Sequence, residues 1–141
     1  MYFTIHGAPF GKQRPKFGHG RAYTPKQTVE YEKAVAEACL KAMQEQDQLQ
    51  IEASQPIGVH VDAYYQIPKS WSKRKQERAA MGLEAPTVKP DADNVLKIIL
   101  DGCQGIAFED DKQVIKSNID KKYSTEPRVD VTIYTIHFGN N

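Results

Sequence analysis

The stretch from Ile57 to Ile67 alternates without a break, with Ile57, Val59, Val61, Ala63, Tyr65 and Ile67 on one side and His60, Asp62, Tyr64 and Gln66 on the other. Period-two alternation over that length predicts a strand with one buried face, so the chain must build a sheet and cover one side of it. A covering helix is visible upstream. Tyr31, Val35, Ala38, Cys39, Ala42 and Met43 recur at helical spacing after Thr24-Pro25-Lys26-Gln27. That tetrapeptide reads as an N-cap threonine, a proline at the first helical position and a capping-box glutamine, and the helix is expected to run to about Gln46. Downstream, Ser70 can cap a short basic helix, SWSKRKQERAAM, closed by Gly82 and followed by a proline-bearing linker over 83–90. Residues 2–6 are β-prone, and 112–122 and 128–138 read as two strands joined around Ser124–Pro127, closing the chain as a hairpin. In the last strand the apolar positions move from odd (Val129, Val131, Ile133) to even (Tyr134, Ile136, Phe138), as a bulge or a strand buried on both faces would require. The order β-loop-α-β-α-α-β-β predicts an α/β (α+β) fold with a small mixed sheet, in one domain over 1–141.

A net charge of +1 over 141 residues makes no bulk case for nucleic acid, but the cations are not evenly spread. GKQRPKFGHGRAYTPK, residues 11–26, carries Lys12, Arg14, Lys16, Arg21 and Lys26 and no acid. Its glycines and prolines make it a long loop, and long loops in compact domains are commonly functional. A second cationic group, Lys69, Lys73, Arg74, Lys75 and Arg78, surrounds the short helix, and Lys89 stands in the linker beyond it. Phe17 and Trp71 lie among these cations and can stack on unpaired bases, although Trp71 serves equally well to anchor its helix. His19 is a candidate DNA contact; His6, His60 and His137 read as ordinary strand residues. Cys39 and Cys103 sit in apolar periodic segments without metal-type spacing and read as buried thiols in a reducing compartment. No signal peptide opens the chain and no apolar run spans a membrane, so a cytoplasmic location is expected.

The chemistry concentrates in KPDADNVLKIILDG, residues 89–102. On a helical wheel Val95, Leu96, Ile99 and Cys103 face the core, while Asp93, Lys97 and Asp101 share the opposite side. Capping, the helix dipole and i,i+4 ion pairs account for much of this. They do not account for Asp91 and Asp93 together, because two carboxylates in one turn repel unless a cation lies between them. Glu109-Asp110-Asp111 follows the helix, and a loop of that length can fold back to bring Asp110 or Asp111 to the helix start. Converging carboxylates without histidine suit Mg²⁺ or Mn²⁺. With Lys97 turned to phosphate and cations on both flanks, the pattern is that of a metal-dependent nuclease.

The run D-A-D-N-V-L-K-I-I-L-D-G with E-D-D-K-Q-V after a short gap resembles the signature of the RusA-type Holliday junction resolvases of bacteria and their prophages. G-K-Q-R-P-K-F…R-A-Y-T-P is similar to that family's basic loop, and the resemblance spans about residues 5–136. It implies Asp91, Asp93 and Asp111 as metal-binding carboxylates, with Asp110 the alternative, and Lys97 as the essential lysine. It also implies a homodimer that makes paired symmetrical nicks in a four-way DNA junction with Mg²⁺, in recombination and repair, its basic loop on DNA. A less selective flap nuclease and a non-catalytic DNA-binding module are the competing readings.

Overall fold

In the computed structural model, which describes residues 1–139, the alternating stretch becomes β4 (Ile57–Gln66) and lies inside a four-stranded sheet. The other strands are β1 (Tyr2–His6), β5 (Val114–Ser124) and β6 (Arg128–Thr135), in the order β1-β6-β4-β5. The β1–β6 and β4–β6 pairs are antiparallel and β4–β5 is parallel, so the small mixed sheet is present as expected. Helix α1 (Lys26–Glu45) lies against β1, α2 (Lys73–Ala80) against β5, and α3 (Ala92–Cys103) against both α1 and β5.

The terminal hairpin does not form, because β4 lies between β5 and β6. β5 follows the α2–α3 crossover and therefore returns parallel to β4. β6 then takes the other side of β4, where Val129, Val131 and Ile133 are buried next to Ala63, Val61 and Val59. β5, with Lys116, Asp120, Lys121 and Lys122, has the composition of an edge strand. The change of apolar parity in β6 reflects neither a bulge nor two-sided burial. Its odd positions stay in the core in unbroken register, Tyr134 lies on the other face across Gly58, and Phe138 is beyond the strand and exposed.

The long basic loop is not wholly irregular. Lys16–Gly18 (β2) and Arg21–Tyr23 (β3) pair as a small antiparallel hairpin. Its two turn residues, His19 (φ 53°) and Gly20 (φ 76°), are both left-handed, as a tight primed turn demands. Helix starts also shift. Pro25 holds the N-cap of α1 with no side-chain cap, and Ser72, not Ser70, caps α2 by accepting the Lys75 N–H at 3.2 Å.

One core lies between the sheet and the α1–α3 layer, built on Val35, Cys39, Val59, Val61, Val95, Ile99, Cys103, Phe108 and Val131. Ile98, also fully buried, widens the apolar face of α3 beyond the expected set. The two helices meet closely at Gly102, where a Cβ would come within 2.6 Å of Val35 Cγ1.

Candidate metal site and nucleic-acid interface

Asp91 is the N-cap residue of α3, yet its carboxylate makes no capping hydrogen bond. Among the described residues Asp93 Oδ1 accepts only the neighbouring Asn94 N–H, at 3.0 Å, and both aspartates are exposed. The helix start is pinned from three sides. The Tyr65 hydroxyl donates to Pro90 O at 2.6 Å, Lys121 Nζ to Val88 O at 2.6 Å, and the Lys12 N–H to Asn94 O at 2.8 Å. Burial, reinforced by the nearby Asp91 charge, pushes the Tyr65 phenol up to about 12, so it remains a donor at neutral pH. Asp91 and Asp93 are therefore held at the C-terminal end of β4 and β5, beside the root of the basic loop.

Lys97 is half-exposed, with its ammonium 3.1 Å from Asp101 Oδ1, so the i,i+4 pair is made. Asp101 Oδ2 takes Lys12 Nζ at 3.1 Å, and Lys12 also reaches Glu32 at 3.0 Å. Burial opposes the charge on Lys12, but its bonds to Glu32 and Asp101 outweigh that and raise its pKa. Lys12 is thus a strut tying the loop to α1 and α3. Arg14, Lys16, Arg21, Lys73, Arg74, Lys75 and Lys89 are all exposed. Phe17 is 85% exposed on the hairpin, whereas Trp71 packs edge-on against Tyr123 at 5.2 Å with Lys75 over its ring. Trp71 is an anchor, and Phe17 is open to solvent.

Asp111 lies at the other end of α3. Its N–H donates to Gln104 Oε1 at 3.3 Å, and Gln104 is the C-cap residue of the helix. The loop does not fold back, because Phe108 is buried and the Ile106 and Ala107 N–H groups both bond to Cys103 O at 3.0 Å. Asp110 caps the following 3₁₀ turn (Asp111–Gln113); the Lys112 N–H on its carboxylate holds that carboxyl below its usual range. A helix of 12 residues rises ~18 Å, so one chain does not bring Asp111 to Asp91 and Asp93.

The comparisons with known proteins decide the family. The model of the RusA endodeoxyribonucleases matches residues 6–134. The chain belongs to the RusA endodeoxyribonuclease family. It is also similar to the uncharacterized protein YqaN of Bacillus subtilis (strain 168), with 36% identity over 137 residues covering 93% of each chain. The matched span of this RusA-family endonuclease takes in the basic hairpin, α2 and both ends of α3.

It also contains a group that its sequence did not advertise. His60, Asp62 and Asp120 place ligand atoms within 4.8 Å of one another, close enough to hold a metal. The pairing of Asp62 with Asp120 depends on the β4–β5 register, which no local pattern reveals. His60 and Asp62 already have close polar neighbours. His60 Nε2 is 3.1 Å from Asp62 Oδ2, Asn118 Nδ2 is 2.6 Å from His60 Nδ1, and Lys122 Nζ is 3.1 Å from Asp62 Oδ1. The hydrogen bond to Asp62 raises the pKa of Lys122, with burial working against it. Among the described helices, none is long and apolar enough to cross a membrane.

Proposed function

We propose that this RusA-family chain is a Mg²⁺-dependent, cytoplasmic endodeoxyribonuclease that resolves four-way DNA junctions by paired symmetrical nicks, as a homodimer, in recombination and repair. The observation that carries the reading is the pair Asp91 and Asp93, exposed at the start of α3 with Asp91 not engaged in capping. Two exposed carboxylates two residues apart fit a hard cation such as Mg²⁺ or Mn²⁺. When bound, such an ion supplies a Lewis acid and a water of lowered pKa for phosphodiester hydrolysis.

The residues of the chain do the rest. Asp111, ~18 Å away along α3, completes the carboxylate set from the partner subunit of a two-fold dimer, while Asp110 remains engaged as a turn cap. Lys97, half-exposed, exchanges Asp101 for a phosphate oxygen and stabilises its developing charge. Arg14, Lys16, Arg21, Lys73, Arg74, Lys75 and Lys89 hold the DNA backbone around this acidic centre, and Lys12 braces the loop. The His60 group supports a second reading of the metal position, in which Lys122 must first leave Asp62.

Asp91→Asn tests the assignment with labelled junctions, flaps and duplexes, with and without Mg²⁺. The expected result is loss of junction cleavage with junction binding kept or tightened, because a negative charge facing phosphate is removed. Cleavage at the parent rate rules the assignment out, and equal cutting of flaps favours a less selective nuclease.

A further inference from the structure

The β2–β3 hairpin is anchored at its root and open beyond it. The Lys12 N–H donates to Asn94 O at 2.8 Å, and Gln13 Oε1 accepts the Thr28 hydroxyl at 3.1 Å. Gly11 lies against the start of α3, where an added Cβ would come within 2.8 Å of Pro90 Cβ. From Arg14 to Thr24 every residue is exposed except the half-buried Gly18.

The register gives the hairpin two unlike faces. Lys16 pairs with Tyr23 and Gly18 with Arg21, so these four share one face, while Phe17 pairs with Ala22 on the other. On the first face the Tyr23 ring lies over Gly18, where a Cβ would come within 3.0 Å of it. Gly18, His19, Arg21 and Tyr23 line a cavity of about 330 Å³ there, and with Lys16 beside it this concave, cationic face suits phosphate. On the second face Phe17 has only the methyl of Ala22 across from it and stays 85% exposed. An aromatic paired across the strands would stabilise a two-stranded hairpin. Phe17 has no such partner and does little to hold this one together.

We infer that Phe17 reads the branch: its ring stacks on a base face left open at the crossover of a four-way junction, while Lys16 and Arg21 on the opposite face hold neighbouring phosphates. This rests on the junction reading above and names the residue that tells a junction from a duplex. Where four arms meet, each terminal base pair has a face without a fixed stacking neighbour; inside intact duplex every face is covered. All bases offer a π-face, so the contact responds to an open stack and not to sequence. Position agrees with the role. Phe17 is five residues beyond Lys12, a main-chain reach of at most ~17 Å, or about five base steps at ~3.4 Å each. A cut beside Asp91 and Asp93 therefore falls close to the crossover that Phe17 contacts.

Equilibrium binding of the full-length protein, without Mg²⁺ so that nothing is cut, tests this apart from catalysis. The probes are an immobile four-way junction and a duplex of equal arm length, the junction carrying 2-aminopurine at the crossover. Because the ring is in water, Phe17→Ala should fold as the parent does. It should weaken junction binding at least ~5-fold, leave duplex binding within ~2-fold, and leave the salt slope of both unchanged. Phe17→Trp should keep the parent's preference. The 2-aminopurine signal should change when the parent or Phe17→Trp protein binds, and this change should be lost with Phe17→Ala. Full junction preference in Phe17→Ala, or an equal loss on junction and duplex, overturns the role of Phe17. A parent protein that binds both DNAs alike overturns the junction reading itself.

Discussion

Gln113 shows how much a single buried amide can organise. Its Oε1 accepts the N–H groups of Glu109 and Asp110, both at 2.9 Å, and its Nε2 donates to Glu52 O at 2.6 Å and Gln55 O at 3.1 Å. Gln113→Leu leaves these backbone groups without their partner and is expected to cost ~2–4 kcal/mol, read as a lower melting temperature. It should also reduce cleavage at temperatures where the fold persists, since the turn it holds carries Asp111. Nothing local in the sequence distinguishes Gln113 from a surface strand residue, because its partners near Glu52 lie about half the chain away. Asp91 and Asp93 stand out in the sequence for the opposite reason. Their repulsion is a local conflict, visible wherever two carboxylates share one turn.

Periodicity carried α1, β4 and α3, since each buries a face whose spacing is written in consecutive residues. Strand order was not written that way. The proximity of β5 and β6 in sequence favoured a hairpin, and only the parallel return through α2 and α3 separates them. Close helix packing was equally hidden. Gly102→Ala drives a methyl into Val35, and the expected cost is ~1–3 kcal/mol, seen as a lowered denaturant midpoint with an unchanged m-value. The β2–β3 hairpin makes a prediction of another kind. Lys16 and Arg21 are exposed on it, so replacing both by glutamine should flatten the salt dependence of junction affinity by about 3–4 units of slope for a dimer. Equilibrium binding across a salt series reads this directly, and an unchanged slope places the hairpin off the DNA.

At the scale of the whole molecule, the carboxylates proposed to share one metal stand at opposite ends of α3. The expectation that the loop after α3 would fold back assumed a site complete within one chain, and the buried Phe108 and the Gln104–Asp111 bond prevent it. The proposed site, shared across a two-fold axis, fits both the chemistry and the fold, and in it two equivalent nicks follow from symmetry. The direct test is complementation. Asp91→Asn and Asp111→Asn proteins, each inactive alone, are mixed under conditions that exchange subunits and assayed on a four-way junction with Mg²⁺. A shared site predicts that cleavage returns, as single nicks, because each mixed dimer contains one centre with every carboxylate intact. A mixture as inactive as its parents, with heterodimers shown to be present, would contradict it.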